Sequence, residues 1–137
     1  MAKQTPGLLK SFAADSAIAS ANVCVVMSAA NPGNITLPAA LAAKFVGIAA
    51  EPTPGGSVTN QIAVQLSGIA QVQSDGSAAI SAGDYLVIGN ASGQVKSVTP
   101  TSGTSVREII GIAISSAGAN AGALVDVLIQ PMVYLGA

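Results

Sequence analysis

Six carboxylates, five basic side chains and one cysteine are the strongly reactive groups of this 137-residue chain, which has no histidine. Proton transfer, nucleophilic attack and metal binding need such groups in partnered sets. Asp15, Glu51, Asp75, Asp84, Glu108 and Asp126 are single and widely spaced, without the ligand rhythm of a calcium loop. Spacing promotes no pair of them for acid–base hydrolysis, so solvated turns and strand edges are their expected place. Cys24 sits inside the apolar run Val23-Cys24-Val25-Val26-Met27. With no second cysteine to bridge and no histidine to activate it, it reads as a small buried hydrophobe. The segments Pro54-Gly55-Gly56-Ser57 and Gly118-Ala119-Asn120-Ala121-Gly122 lack a phosphate-loop lysine and precede no helix. No motif joins a serine to a lysine as a nucleophile pair. The expectation is a protein that is not an enzyme and takes no cofactor or metal.

Charge points the same way. Lys3, Lys10, Lys44, Lys96 and Arg107 are scattered and the net charge is −1. No cluster could neutralise a run of phosphates, so neither nucleic acid nor an anionic membrane is an expected partner. No uninterrupted apolar stretch reaches the roughly 18 residues of a membrane span. The opening Met-Ala-Lys-Gln-Thr-Pro-Gly carries no signal-peptide core, and synthesis in the cytoplasm is expected. Charged residues are 8% of the chain, against about 25% in an average soluble domain. Such a chain either hides surface against partners or covers it with neutral polar groups, which favours an assembly subunit.

The elements that must carry this surface are short and punctuated. Runs at Ile18–Met27, Phe45–Ala49, Ser57–Val72, Tyr85–Ile88, Gln94–Val98, Ile109–Ile114 and Ala123–Ile129 read as strands. Turns are expected at Asn31–Asn34, Glu51–Gly56, Ser74–Ser77, Gly83-Asp84, Asn90–Gly93, Pro100–Ser105 and Ala117–Gly122. One short helix is expected over Ala39–Lys44, behind Pro38. The tripeptide Gly-Ile-Ala recurs at Gly47, Gly68 and Gly111 with unlike flanks, which suggests bulges or close backbone approach rather than a repeat. The fold class is therefore mostly β, a small barrel or sandwich with at most one short helix.

Residues 1–16 read as an extended N-terminal arm, and residues 17–137 as a single β-rich domain whose strand ends at Pro131, leaving an apolar C-terminal tail. Candidate partner-binding residues are Leu8, Leu9 and Phe12 in the arm, and Met132, Val133, Tyr134 and Leu135 in the tail. For the arm the alternative is a frayed terminus, and for the tail an edge strand folded onto its own core.

The order Gly83-Asp84-Tyr85-Leu86-Val87, Gly93-Gln94-Val95, Ile110-Gly111-Ile112-Ala113 and Val125-Asp126-Val127-Leu128-Ile129 resembles the small β-domain cement (decoration) proteins of bacteriophage capsids. That resemblance spans roughly residues 66–130. It implies a virion protein on the outer capsid surface that binds the major capsid protein and stabilises contacts between coat subunits. It also implies a homo-oligomer, with a trimer favoured, whose weak contacts add through multivalency. A tail, fibre or other surface-assembly subunit is one alternative. A small-ligand-binding or enzymatic β-barrel is another, and it would require a pocket with converging polar groups.

Overall fold

The computed structural model describes residues 5–15, 17–38, 44–53, 61–99 and 105–136. Among these residues, eleven strands make two antiparallel sheets: β1 (Thr5–Pro6), β2 (Leu9–Ala13), β3 (Cys24–Met27), β4 (Ile35–Thr36), β5 (Phe45–Ala49), β6 (Gln61–Gln65), β7 (Gly68–Gln73), β8 (Tyr85–Ile88), β9 (Val95–Val98), β10 (Ser105–Ala113) and β11 (Leu124–Gly136). The first sheet runs β1-β7-β11-β10-β8-β9 and the second β2-β6-β5-β3-β4. No helix occurs among the described residues, and the one expected over Ala39–Lys44 lies outside them except for Lys44. The all-β expectation holds.

Each sheet curls toward its own far edge. A parallel bridge joins Ser74, just past β7, to Val95 of β9, and Asp75 N donates to Val95 O at 2.8 Å. In the second sheet a parallel bridge joins Ala14, just past β2, to Ile35 of β4. The strand-to-strand bonds that a flat sheet leaves open at its edges are thus partly used up.

Two hydrophobic cores result, and β3 is the wall between them. Cys24 and Val26 face the larger core with Ala70, Val72, Leu86, Ile88, Val95, Ile110, Val125 and Val127 from the first sheet. Val23 and Val25 face the smaller core with Ile18, Ile35, Ala49, Ile62 and Val64. Alternation sends successive side chains to opposite faces, so a strand buried on both sides must be apolar at every position. The run from Val23 to Val26 meets that demand. Opposite it, β5 carries a bulge: Val25 pairs with Gly47 but Val26 with Phe45, skipping Val46. The extra residue lets Phe45 and Ile48 both reach the larger core although they are three apart. Burying such a side chain stabilises the fold by about 1.5–3 kcal/mol.

Several boundaries depart from the sequence reading. Of the expected Ile18–Met27 strand only Cys24–Met27 is regular. Ile18 is buried from a loop, where its N–H bonds Thr53 Oγ1 at 3.1 Å, and Asn22 turns the chain at φ 65°. The single strand expected over Ser57–Val72 is, in its described part, two strands in different sheets, β6 in the second and β7 in the first, with the chain passing between them at Leu66-Ser67 and Gly68 at φ 85°. Pro131 does not end the last strand. β11 runs on to Gly136, because Pro131 falls where Ile109 pairs with Met132 but Gly111 with Ile129. At a bulge a residue without an N–H removes no ladder bond. The same bulge needs Gly111, where a Cβ would strike the Leu128 carbonyl oxygen.

Candidate interaction surfaces

On the first sheet, directly paired residues share a face. Ile69 pairs with Leu128, Leu128 with Ile112, Ile112 with Tyr85, and Tyr85 with Val98. Their strand neighbours Ala70, Val127, Ala113 and Leu86 belong to the larger core, so this row of five points the other way. It crosses β7, β11, β10, β8 and β9 without a polar residue. Tyr85 is 38% exposed and Leu128 36%; Ile69, Ile112 and Val98 are half-buried. Leu124 and Ile114 lie exposed on the same side. Water therefore meets a continuous apolar band on the outer face of a sheet, a surface soluble monomers rarely leave open.

Beyond the body of this sheet, β10 and β11 continue together. β8 pairs with β10 only at Gly111 and Ile112, and β7 with β11 only from Leu124 to Leu128. Ser105–Ile109 and Met132–Gly136 form a two-stranded ribbon that no third described strand flanks. Its base is fastened by Glu108 Oε1, which accepts from Phe45 N at 2.6 Å. Of the tail residues singled out in the sequence, Val133 is 67% exposed while Met132 and Tyr134 are half-buried, and Leu135 pairs with Val106 through its backbone.

At the other end of the chain, residues 5–13 of the expected arm are paired on the domain. β1 lies on the edge of the first sheet against Gly68 and Ile69, and β2 on the edge of the second against β6. Phe12 packs on the smaller core, with Lys10 Nζ 5.4 Å from its ring centroid. Leu8 is 61% exposed and Leu9 is exposed too, although Leu8 is pinned through its backbone: its N–H donates to Ser67 Oγ at 2.8 Å. The three arm residues thus divide, one inward and two outward.

The groups with chemical potential serve the fold. Asp15 accepts from Ser28 Oγ and from Asn34 Nδ2 (2.8 Å), clamping the end of β2 to the β3–β4 turn. Hydrogen bonds from Ser28, then Asn34 and Asn31, hold its pKa below the ordinary 3.8. Cys24 is fully buried, and desolvation pushes its thiol pKa up, away from reactive thiolate. Among the described residues no three of His, Cys, Asp and Glu are grouped to hold a metal. A depression of about 150 Å³ lined by Ala17, Ile18, Ala19, Ser20, Val23, Leu37 and Ser92 offers hydroxyls but no titratable side chain.

Sequence reasoning placed the candidate contacts at the two chain ends and missed the outer face of the first sheet. The signal was present. Tyr85–Ile88, Ile109–Ile114 and Leu124–Ile129 have few polar breaks, yet the structure covers only one side of each. Ile114 and Leu124, at the ends of two of these runs, are exposed.

No curated protein matches the chain. The phage cement protein family matches it over residues 3–129, nearly its whole length. The chain therefore belongs to the phage cement protein family, a structural family whose membership implies association with a phage capsid.

Proposed function

We propose that this protein is a non-catalytic cement subunit that binds the outer surface of the capsid and holds neighbouring coat subunits together. The observation that carries this reading is the apolar row Ile69–Leu128–Ile112–Tyr85–Val98 across the outer face of the first sheet. In a chain with 8% charged residues, such a face favours burial against protein. A stable contact needs about 800 Å² from each partner, the scale of one sheet face and its margins. The major capsid protein is the partner, met at the virion surface after synthesis in the host cytoplasm. Leu8 and Leu9 at one end, and the ribbon with Met132, Val133, Tyr134 and Leu135 at the other, reach adjacent subunits. Phe12 anchors the first of these to its own domain.

Assembly as a homo-oligomer, with a trimer favoured, makes several modest contacts act together. Neither nucleic acid nor membrane is a partner in this reading.

The copy ratio of this protein to the major capsid protein in purified particles tests the proposal. A simple stoichiometric fraction, together with shells that rupture at lower temperature when the protein is missing, is expected. A handful of copies per particle would transfer the protein to a tail or vertex, and its absence from particles would refute the reading.

A further inference from the structure

One carboxylate lies on the outer face of the first sheet, and it is buried. Asp126 lies between Val125 and Val127, both in the larger core, so its side chain leaves β11 on the outer side. Along the strand it is flanked by exposed Leu124 and Leu128. Across the sheet it pairs with Gln71 of β7, and on the other side Ile114 N donates to its carbonyl oxygen at 2.7 Å. Its own N–H donates to Ser115 Oγ at 2.9 Å. The backbone is thus satisfied, but one oxygen of the carboxylate is not. Asp126 is only 6% exposed, and its Oδ1 is buried without a hydrogen-bond partner among the described residues.

A buried carboxylate oxygen without a donor is costly, and a partner covering this face would dehydrate the group further unless that partner brought a donor. The geometry points to Asp126 as the polar anchor of the capsid contact, receiving a Lys or Arg side chain from an otherwise apolar patch of the coat subunit. The inference rests on the cement reading and adds the chemistry of the partner. Two features select a cationic side chain. A full negative charge is best answered by a positive one in a water-poor setting. Exposed Leu124, Leu128 and Ile114 on the same face offer apolar surface along which the methylene stem of a long cationic side chain packs. The apolar rim then excludes water around the pair, as in the centres of tight interfaces.

The test uses empty coat shells assembled without this protein, with wild-type and Asp126→Asn proteins compared in parallel. The Asn variant should melt at the wild-type temperature or above, since a neutral amide is easier to bury than an unpaired carboxylate. Its affinity for shells should fall at least about tenfold, with the remaining binding less sensitive to salt. Asp126→Ser, which removes the charge with a smaller side chain, should lose affinity likewise. Equal binding by wild type and both variants would overturn the inference while leaving the cement reading intact. A variant that melts well below wild type would place the carboxylate's partner inside the fold and also overturn it. If the substitutions weaken self-association in sedimentation but not shell binding, a second copy is the occupant and the coat-subunit assignment is wrong. A wild-type protein that fails to bind shells would bring down the cement reading and this inference together.

Discussion

β3 and the outer sheet strands β8, β10 and β11 are written in the same style, yet the fold treats them differently. Val23–Val26 is an unbroken apolar run, and both of its faces are covered, one by each core. Tyr85–Ile88, Ile109–Ala113 and Leu124–Ile129 are nearly as apolar, but only one face of each meets a core. In β3 the second apolar face is explained by the chain's own curl, which brings β2 and β4 around to enclose it. In the first sheet nothing among the described residues does this. The difference teaches where a partner would belong: a two-faced apolar strand expects two covers, and in the proposed function the missing one is supplied by another protein.

The contrast can be broken most sharply with the same charge on each side of it. Val25→Asp puts a carboxylate between β3 and the smaller core and should cost more than about 4 kcal/mol, leaving the protein unfolded or nearly so at room temperature. Leu128→Asp, on the outer face, should shift urea unfolding by about 1–2 kcal/mol, through its lost cross-strand contacts with Ile69 and Ile112, while abolishing attachment to shells. Circular dichroism with a shell pull-down measures both; comparable destabilisation by the two would erase the distinction.

A gentler pair sharpens it. Cys24→Ser should cost about 1–3 kcal/mol, because the hydroxyl is left in the larger core without water. Ile114→Ser on the open face should be close to neutral in the free protein. Chemical denaturation of each variant gives the answer.

The smallest expected effect concerns the clamp that closes the smaller core. Asp15 has a folded-state pKa below its unfolded value of 3.8. Its contribution to stability is therefore present above that value and lost as the pH falls through the folded pKa. Asp15→Asn should melt below wild type at about pH 7, and the gap should narrow as the pH falls below 3.8. A gap independent of pH would assign the difference to packing rather than to the ionised carboxylate.

Much of the architecture was legible because strand and turn signals are local. The hairpin at Asn90–Gly93, the buried Cys24 and the all-β class follow from residue types and alternation. Three things were not legible, each for a non-local reason. The bulge opposite Ile110 lets Pro131 sit within β11, and it exists only because β10 supplies the partner strand. Docking of β1 and β2 depends on edges made some 60 residues later, at β6 and β7. The apolar row on the outer face depends on register between five strands, which no single run encodes. Continuous apolar runs say that both faces want cover, but only pairing shows which faces align.

The most direct test of the central claim is side-chain footprinting with hydroxyl radicals on the free protein and on the same protein attached to capsids. Tyr85, Ile114, Leu124 and Leu128 should lose most of their reactivity on particles, while Met27, exposed on β3 away from that face, should keep its own. Unchanged labelling of Tyr85 and Leu128 on fully decorated capsids would contradict the account, because the outer face of the first sheet would then be open to water in the assembled particle.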